Sequence, residues 1–244
     1  MVVAGKKLVI LDFDGVVADS FDRQYRWLSF IHEKLGVEKN FSDKEGLREI
    51  YCEPFWPNLY DSLGFDTTDA GPHTKTIYSE YKEFLPKNPV SIVPGFPEAM
   101  RELHSTGKYD FAVASMSGNQ MIAEFFAEHG IYDCLLTLPD GSRAISGKDD
   151  VGRDGNAPER LKPSPFIIDN VLGKIGDLSQ YSEIEYLGDA PSDVKAARAA
   201  GISLGVKVIP VSLVTDAAFY TKEKILSEKP DKVAYSTAEL LSVL

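Results

Sequence analysis

The sequence contains little cysteine, no long apolar run and fewer basic than acidic residues. Its two cysteines, Cys52 and Cys134, lie far apart and match no metal-binding spacing, which argues against a disulfide framework or a zinc site and favours a reducing compartment. No apolar stretch is long enough to span a bilayer, and the first one is interrupted by Asp12 and is too short for a signal peptide. We therefore expect a soluble, cytoplasmic protein.

The charge balance restricts the partners further. The chain has 37 acidic and 26 basic residues and a formal net charge of −11 at pH 7, so nucleic acid and anionic membrane surfaces would be repelled. A small anionic substrate is still compatible, because a metal ion, one lysine and a few backbone amides can form a local positive patch. We expect a small-molecule ligand rather than nucleic acid or a membrane.

A short apolar run near the N-terminus ends in two carboxylates. Residues 8–11, Leu-Val-Ile-Leu, are typical of a strand buried on both faces inside a parallel sheet. Asp12 and Asp14 follow it two positions apart, so in extended chain both side chains leave the same face, where like charges are costly unless a cation binds them. Mg²⁺ prefers such oxygen ligands, and Gly15 allows a close backbone approach. The alternative is an ordinary strand end whose carboxylates face water.

The next seventy residues carry a helical pattern. Apolar residues recur every three or four positions between Asp19 and Gly36, and further helical segments are predicted at about 42–51, 57–63 and 73–85. No convincing strand occurs between residues 19 and 90. Because a simple βα crossover is much shorter, we predict an inserted helical domain at residues 18–91 and a core formed by residues 1–17 and 92–244.

After Pro94 helices and strands alternate. Helices are predicted at 95–105, 117–129, 164–174 and 192–200, and strands at 109–115, 135–138, 184–187, 204–209 and 233–235, with a long loop at 139–161. We interpret the acidic run at 149–156 in that loop as a solvated turn. The alternation predicts an α/β protein with a doubly wound parallel sheet, whose ligands bind beyond the carboxyl ends of the strands.

Polar residues follow the second predicted core strand. Ser115 and Met116 come at its end, and Ser117 with Gln120 has the spacing of a capping box at the start of a helix. A helix N-terminus offers free amides to an anion, and the Ser115 hydroxyl could bind the same phosphate. The alternative is that both serines only cap the helix.

Two later segments contain further candidate site residues. Pro163 keeps Lys162 out of helical geometry just before a helix, so its ammonium can project over the sheet, although a lysine there is commonly a solvated surface charge. Asp189 comes just after the strand predicted at 184–187. Asp193 follows four residues later, where it could also favour a helix N-terminus.

In order and context, these segments resemble the four motifs of the haloacid dehalogenase-like superfamily. The matching residues are Asp12-Phe13-Asp14-Gly15-Val16, Ser115, Lys162-Pro163 and Gly188-Asp189-x-x-x-Asp193. The resemblance implies a Rossmann-like core of that superfamily. The helical insertion after the first motif looks like the small cap of the phosphoglycolate phosphatase and β-phosphoglucomutase branch.

The resemblance also implies a role for each residue. Asp12 would be the nucleophile that forms an aspartyl-phosphate, and Asp14 the general acid and then the general base. The Mg²⁺ ion would be bound by the Asp12 side chain, the Asp14 backbone carbonyl and Asp189, with Asp193 as a ligand or a support. The phosphoryl oxygens would be bound by Ser115, the Met116 amide and Lys162.

Two features depart from the family pattern or separate its subclasses. Leu161 precedes Lys162 where the family commonly has glycine, which leaves Lys148 and Arg160 as alternative phosphate-binding cations. Asp14 favours phosphate esters, because dehalogenases do not need this residue and phosphonatases replace it with a small one.

The predicted function is a Mg²⁺-dependent phosphatase that hydrolyses a small phosphorylated metabolite. Two alternatives stay open: a phosphomutase of the β-phosphoglucomutase type, and a non-catalytic phosphate-ligand binding protein on the same fold. Candidate contacts to the leaving group in the helical domain are Arg23, Arg26, Arg48 and Trp56, although helix-face arginines are usually solvated and aromatic residues usually belong to the core.

Overall fold

The structure is a computed structural model that describes residues 5–51, 58–68, 71–151 and 158–244. Its centre is a six-stranded sheet in which every neighbouring pair of strands is parallel. In their order across the sheet, the strands are β5 (Ile145–Ser146), β4 (Tyr109–Ala114), β1 (Lys6–Leu11), β6 (Tyr181–Gly188), β7 (Val208–Leu213) and β8 (Lys232–Ala234). The predicted α/β class with a parallel sheet is confirmed.

Helices cover both faces of this sheet. They are α5 (Phe96–Ser105), α6 (Asn119–Glu128), α7 (Lys148–Val151), α8 (Phe166–Ile175), α9 (Pro191–Ala199), α10 (Lys222–Ser227) and α11 (Leu240–Val243). The central strand β1 shows why both faces must be covered: Val9 and Leu11 pack into one apolar cluster with α5, α6 and α11, whereas Leu8 and Ile10 pack into another with α8 and α9. The period of two in a fully apolar strand produces these two layers.

A two-stranded antiparallel ribbon connects the sheet to the helical insertion. Strand β2 (Ala18–Asp19) pairs with β3 (Ser91–Ile92), and the Val93 amide donates to the Val17 carbonyl at 2.9 Å. Between them lie α1 (Ser20–Leu35), α2 (Lys44–Ile50), α3 (Tyr60–Ser62) and α4 (Thr74–Phe84). The ribbon brings the two ends of the insertion together. The division into a core and a separate cap domain stays a prediction.

The insertion shares an apolar cluster with the core. Phe21, Trp27 and Leu47 from its helices pack in one buried cluster with Ala218 and Tyr220, which lie between β7 and α10. No helix in the described part of the chain is long and apolar enough to cross a membrane.

Two predicted strands differ from the structure. The strand expected at 204–209 is β7, which begins later because a short 3₁₀ turn occupies Ile202–Leu204 and which continues past Pro210. Pro210 lies level with Asp231, just before β8 begins, so its missing N–H costs no hydrogen bond to that strand. The strand expected at 135–138 is wrong: Leu135 makes only an isolated bridge to Phe111.

The predicted loop at 139–161 is partly regular. It contains the short helix α7 and the strand β5. Strand β5 pairs with β4 and forms the edge of the sheet. The described part of the acidic run is not a solvated turn, because Asp150 accepts hydrogen bonds from the Asn119 side chain at 2.9 Å and from Lys174 at 2.8 Å. This part therefore packs against α6 and α8. The remainder of the run, from residue 152 on, lies outside the described residues.

Candidate active site

The predicted site residues converge at the carboxyl ends of three adjacent strands. Asp12 follows β1, Ser115 follows β4 and Asp189 follows β6, and the sheet order places β4 and β6 on either side of β1. A cavity of about 730 Å³ opens at this edge. Its wall includes the seven residues assigned from the four motifs, namely Asp12, Asp14, Ser115, Met116, Lys162, Asp189 and Asp193.

Three buried carboxylates form the floor of the cavity. Asp12, Asp189 and Asp193 are 7%, 2% and 2% exposed, and each contributes an oxygen to a group in which these oxygens lie within 4.8 Å of one another. Lys162 lies between two of them, with its Nζ 2.9 Å from Asp12 Oδ2 and 2.8 Å from Asp193 Oδ1. The cluster thus contains one ammonium and three carboxylates, and in its ionised form it carries an excess of negative charge.

The electrostatic consequence appears in the pKa values. Burial, together with the charges of Asp193 and Asp14, raises the pKa of Asp12 to about 7, although Lys162 opposes that rise. Burial and the neighbouring carboxylates raise the pKa of Asp189 well above its usual range. Burial alone would lower the pKa of Lys162, but the charges of Asp12 and Asp193 outweigh it and leave that pKa well above its usual value. Lys162 is therefore charged at neutral pH.

This donor set fits a hard divalent cation. All the groups are carboxylate oxygens, which suit Mg²⁺ rather than a soft metal, and a divalent charge would offset the excess that Lys162 leaves. Isolated buried charges are costly, and a cation removes that cost. Asp12 and Asp189 are the residues that would bind the ion.

Two glycines allow these carboxylates to come so close to the backbone. Gly15 has φ +75°, and a Cβ atom there would lie 2.2 Å from Asp189 Oδ2. A Cβ atom on Gly188 would lie 2.4 Å from Asp193 Oδ2. Any larger residue would push the carboxylates away from the cluster.

Asp193 also organises the loop that carries Asp189. Its Oδ2 accepts hydrogen bonds from the backbone amides of Asp189 and Ala190, both at 3.0 Å, at the start of α9. The Tyr186 hydroxyl lies 3.4 Å from Asp193 Oδ1 and donates to the Ala114 carbonyl at 2.9 Å. One oxygen of Asp193 thus holds the loop, whereas the other faces Lys162.

Asp14 lies apart from the buried cluster and is partly exposed to the cavity. The Ser117 hydroxyl donates to Asp14 Oδ2 at 2.6 Å. The expected capping role of Ser117 is therefore wrong, because α6 begins only at Asn119 and the Asn119 amide donates to Asp149 Oδ2 at 2.8 Å. The Asp149 carboxylate thus accepts the hydrogen bond of this amide at the N-terminus of α6.

The structure separates the three candidate phosphate-binding cations. Lys162 lines the cavity, with its side chain only 7% exposed. Lys148 is exposed on α7. Arg160 donates to the Val151 carbonyl at 3.1 Å, and its guanidinium lies 4.8 Å from the ring centre of Phe166. Lys162 is thus the one of these three that faces the carboxylates.

The arginines expected at the leaving group are not among the described residues that line the cavity. Arg23 lies half-buried on α1. Arg26 is exposed and pairs with Asp22 at 2.9 Å. Arg48 is buried and donates to the Ala218 carbonyl at 2.9 Å, so it contacts the core instead. Trp56 lies outside the described residues.

Sequence patterns missed one wall of the cavity. Tyr51, at the end of α2, lies there with Phe219 and Tyr220 from the loop between β7 and α10. The Phe219 amide donates to Asp189 Oδ2 at 2.8 Å. No local pattern indicates this contact, since it joins residues thirty positions apart through a backbone amide.

The family follows from a comparison of the whole sequence. A family model for haloacid dehalogenase-like hydrolases matches residues 9–207, which is more than half of the chain. The chain belongs to the haloacid dehalogenase-like hydrolases. No curated protein matches the sequence.

Solved structures of haloacid dehalogenase-like proteins share the fold at low sequence identity. A protein described as a predicted phosphoglycolate phosphatase from Haemophilus somnus 129pt is 17% identical with a TM-score of 0.70, over 99% of each chain. A family hydrolase from Deinococcus radiodurans R1, with bound phosphate and sodium, is 18% identical with a TM-score of 0.68, over 97% of this chain and 94% of that one. A protein described as a candidate β-phosphoglucomutase from Thermotoga maritima is 18% identical with a TM-score of 0.59, over 97% of each.

Proposed function

We propose that this haloacid dehalogenase-like hydrolase is a Mg²⁺-dependent phosphatase that acts on a small phosphorylated metabolite through an aspartyl-phosphate. The observation that carries the proposal is the convergence of Asp12, Lys162 and Asp189 on the floor of one cavity, with Asp14 at its wall. The residues that would bind Mg²⁺ are Asp12, the Asp14 backbone carbonyl and Asp189. When bound, the ion would offset the carboxylate charge and withdraw charge from the phosphoryl oxygens.

In the first step Asp12 is the nucleophile. Its carboxylate attacks the phosphorus atom, a bond forms between the carboxylate oxygen and phosphorus, and the ester P–O bond breaks. The departing oxygen is a poor leaving group as an alkoxide, so Asp14 protonates it as the bond breaks. The position of Asp14 at the cavity wall, outside the buried cluster, supports this role.

In the second step water hydrolyses the aspartyl-phosphate. Asp14, now ionised, accepts a proton from the attacking water, and the acyl–phosphate bond breaks to release phosphate and restore the Asp12 carboxylate. The hydroxyl of Ser117 donates to Asp14 at 2.6 Å and so orients it between the two steps.

The remaining polar groups bind the phosphoryl oxygens. Lys162 is charged and buried in the floor, and Ser115 and Met116, which follow β4, line the same cavity. Preorganised donors of this kind stabilise the charge that spreads over the phosphoryl oxygens during transfer. We assign the helical insertion, residues 18–91, as a cap that helps to keep bulk water out of the cavity. A cytoplasmic location stays a prediction from the sequence.

The test is phosphate release from a panel of phosphorylated metabolites and a generic aryl phosphate. We expect turnover that requires Mg²⁺ and stops with chelator, and we expect the Asp12→Asn variant to lose it while staying folded. Asp133→Asn is the matched control, because Asp133 is an exposed aspartate whose side chain is 95% accessible. Unchanged turnover in Asp12→Asn would contradict the proposal.

The same assay distinguishes the alternatives. A phosphomutase would move the phosphoryl group to a second sugar phosphate instead of releasing it to solution. A non-catalytic binding protein would show no turnover with any substrate, although the intact pair Asp12 and Asp14 argues against it.

A further inference from the structure

One loop contacts both the helical insertion and the carboxylate cluster. The loop comprises residues 214–221 and joins β7 to α10. On one side its Phe219 amide donates to Asp189 Oδ2 at 2.8 Å. On the other side the Ala218 carbonyl accepts a hydrogen bond from Arg48 Nε at 2.9 Å, and the Asp216 carbonyl accepts one from Arg48 Nη2. The peptide group between Ala218 and Phe219 therefore contacts α2 through its carbonyl and the carboxylate cluster through its amide.

Arg48 is well suited to fix the loop. Its guanidinium is planar, so two donors in a rigid fork hold two carbonyls of the loop at once. The residue is only 8% exposed, and its charge is compensated by Glu45 Oε2 at 2.7 Å. The guanidinium also lies 4.5 Å from the ring centre of Phe21. A buried, paired and stacked arginine of this kind has little freedom to move.

The insertion also contacts the Phe219 side chain. Its ring centre lies 5.3 Å from that of Phe21 and 5.1 Å from that of Tyr51, and both of these residues belong to the inserted segment. The helical insertion therefore contacts both the backbone carbonyls that precede Phe219 and the Phe219 ring. The direction of the Phe219 amide follows from these contacts.

We propose that Arg48 is a positioning residue for the metal site: from α2 it fixes the loop so that the Phe219 amide orients the Asp189 carboxylate. This inference rests on the proposed function, because it takes Asp189 to be a Mg²⁺ ligand. Groups that hydrogen-bond to metal ligands set the orientation of those ligands, and their loss typically weakens metal binding by about 10- to 100-fold.

The inference makes the docked insertion part of the metal site. When α2 leaves the loop, the Phe219 amide is released and Asp189 loses its donor. By linkage, Mg²⁺ binding must favour the docked arrangement to the same extent that docking favours Mg²⁺ binding.

The experiment is calorimetric titration of the full-length, metal-free protein with Mg²⁺. We compare wild type with Arg48→Met, which removes the donors, and with Arg48→Lys, which keeps the charge but not the fork. We expect Mg²⁺ to bind about tenfold more weakly to Arg48→Met, with Arg48→Lys in between, because Arg48 acts one contact further from the ion than Phe219 does. Near-UV circular dichroism confirms that each variant is folded at the titration temperature.

Lys224→Met is the matched control. Lys224 also joins α10 to α2, because its Nζ donates to the Arg48 carbonyl at 3.0 Å, but it makes no hydrogen bond to the loop carbonyls among the described contacts. We expect its Mg²⁺ affinity to stay within twofold of wild type. A second readout is turnover: a positioning role predicts that Arg48→Met regains wild-type kcat at saturating Mg²⁺.

The outcomes separate the two proposals. If wild type binds Mg²⁺ and Arg48→Met binds it equally well, the positioning role is wrong and the proposed function stands. If Lys224→Met weakens binding as much as Arg48→Met does, the effect comes from docking in general and the assignment to Arg48 is overturned. If wild type binds no Mg²⁺, both proposals fail.

Discussion

Lys162 is expected to control how the stability of the metal-free protein depends on pH. It is the ammonium that pairs with Asp12 at 2.9 Å and with Asp193 at 2.8 Å, and its side chain is only 7% exposed. The Lys162→Met variant keeps most of the side-chain volume and removes the charge. Asp12 and Asp193 are then left without their ion-pair partner.

The loss should be large above neutral pH. Removing one partner of a buried ion pair typically costs about 3–5 kcal/mol, because the remaining charge is left uncompensated. For a chain of this length 1 kcal/mol corresponds to about 2–4 °C in Tm, so the shift should be on the order of 10 °C.

The sign of the pH dependence follows from the raised pKa values of Asp12 and Asp189. A carboxyl group whose pKa is higher in the folded state destabilises that state once the pH exceeds its unfolded value, and the penalty grows up to the folded value. For Asp12 this window runs from about 4 to about 7. Lys162 lowers the pKa of Asp12, so its removal raises that pKa further and enlarges the penalty in the variant. Lowering the pH from 8 to 5 protonates the carboxyl groups and should therefore reduce the difference in stability between Lys162→Met and wild type.

The assay is urea unfolding of both proteins in chelator at pH 5 and pH 8, repeated with Mg²⁺. We expect the difference in unfolding free energy to be largest at pH 8 without Mg²⁺, and to shrink when Mg²⁺ is added. An equal difference at both pH values, unaffected by Mg²⁺, would refute the reasoning, because the cost would then come from lost packing rather than from charge.

Three further predictions concern the same site. Gly15→Ala should lose most Mg²⁺ affinity in calorimetric titration and cost about 1–2 kcal/mol in unfolding free energy, because it introduces a Cβ at φ +75° beside a ligand carboxylate. Gly36→Ala, at φ +64° with nothing within 4 Å, should lose stability but bind Mg²⁺ normally; equal effects would contradict this. Ser117→Ala should lower kcat about threefold to tenfold with little change in KM, as expected for one lost hydrogen bond, and an unchanged kcat would exclude its orienting role. Mg²⁺ affinity should fall about tenfold per pH unit below pH 7, because protons compete for Asp12; titrations that give a flat profile would contradict the raised pKa.

The sequence was sufficient to predict the positions that meet at the sheet edge. Asp12, Ser115 and Asp189 each follow an apolar strand, and the rule that ligands bind at the carboxyl ends of parallel strands brings them together. Lys162 follows a loop rather than a strand, so Pro163 indicates only that its ammonium can project over the sheet, and the resemblance to the family supplies its role at the site. The structure locates it between Asp12 and Asp193.

The errors have a common physical origin, since they concern contacts between distant residues. The spacing of Ser117 and Gln120 fits a cap, but Asp14, more than a hundred positions earlier, accepts the hydrogen bond of Ser117 instead. Arg48 looks like a solvated or substrate-facing arginine on a helix, yet two carbonyls about 170 positions later accept its hydrogen bonds. Local periodicity contains no information on such partners.

The same limit explains the displaced strands. The edge strand β5 is only two residues long, so no alternation of apolar and polar residues can reveal it. The start of β7 is set by the 3₁₀ turn before it. Pro210 suggests from the sequence that the strand ends there, but the pairing with β6 continues past this residue. Strand boundaries here depend on the neighbouring strand.

The most direct test of the proposed chemistry is a structure from crystals grown with Mn²⁺ and beryllofluoride. Beryllofluoride bound to a carboxylate mimics the phosphoryl group of an acyl phosphate. We predict one anomalous Mn²⁺ peak in contact with carboxylate oxygens of Asp12 and Asp189, and beryllofluoride density attached to Asp12 and within hydrogen-bonding distance of Lys162. A metal peak elsewhere, or Asp12 without beryllofluoride, would contradict the assignment of Asp12 as the nucleophile beside a bound metal.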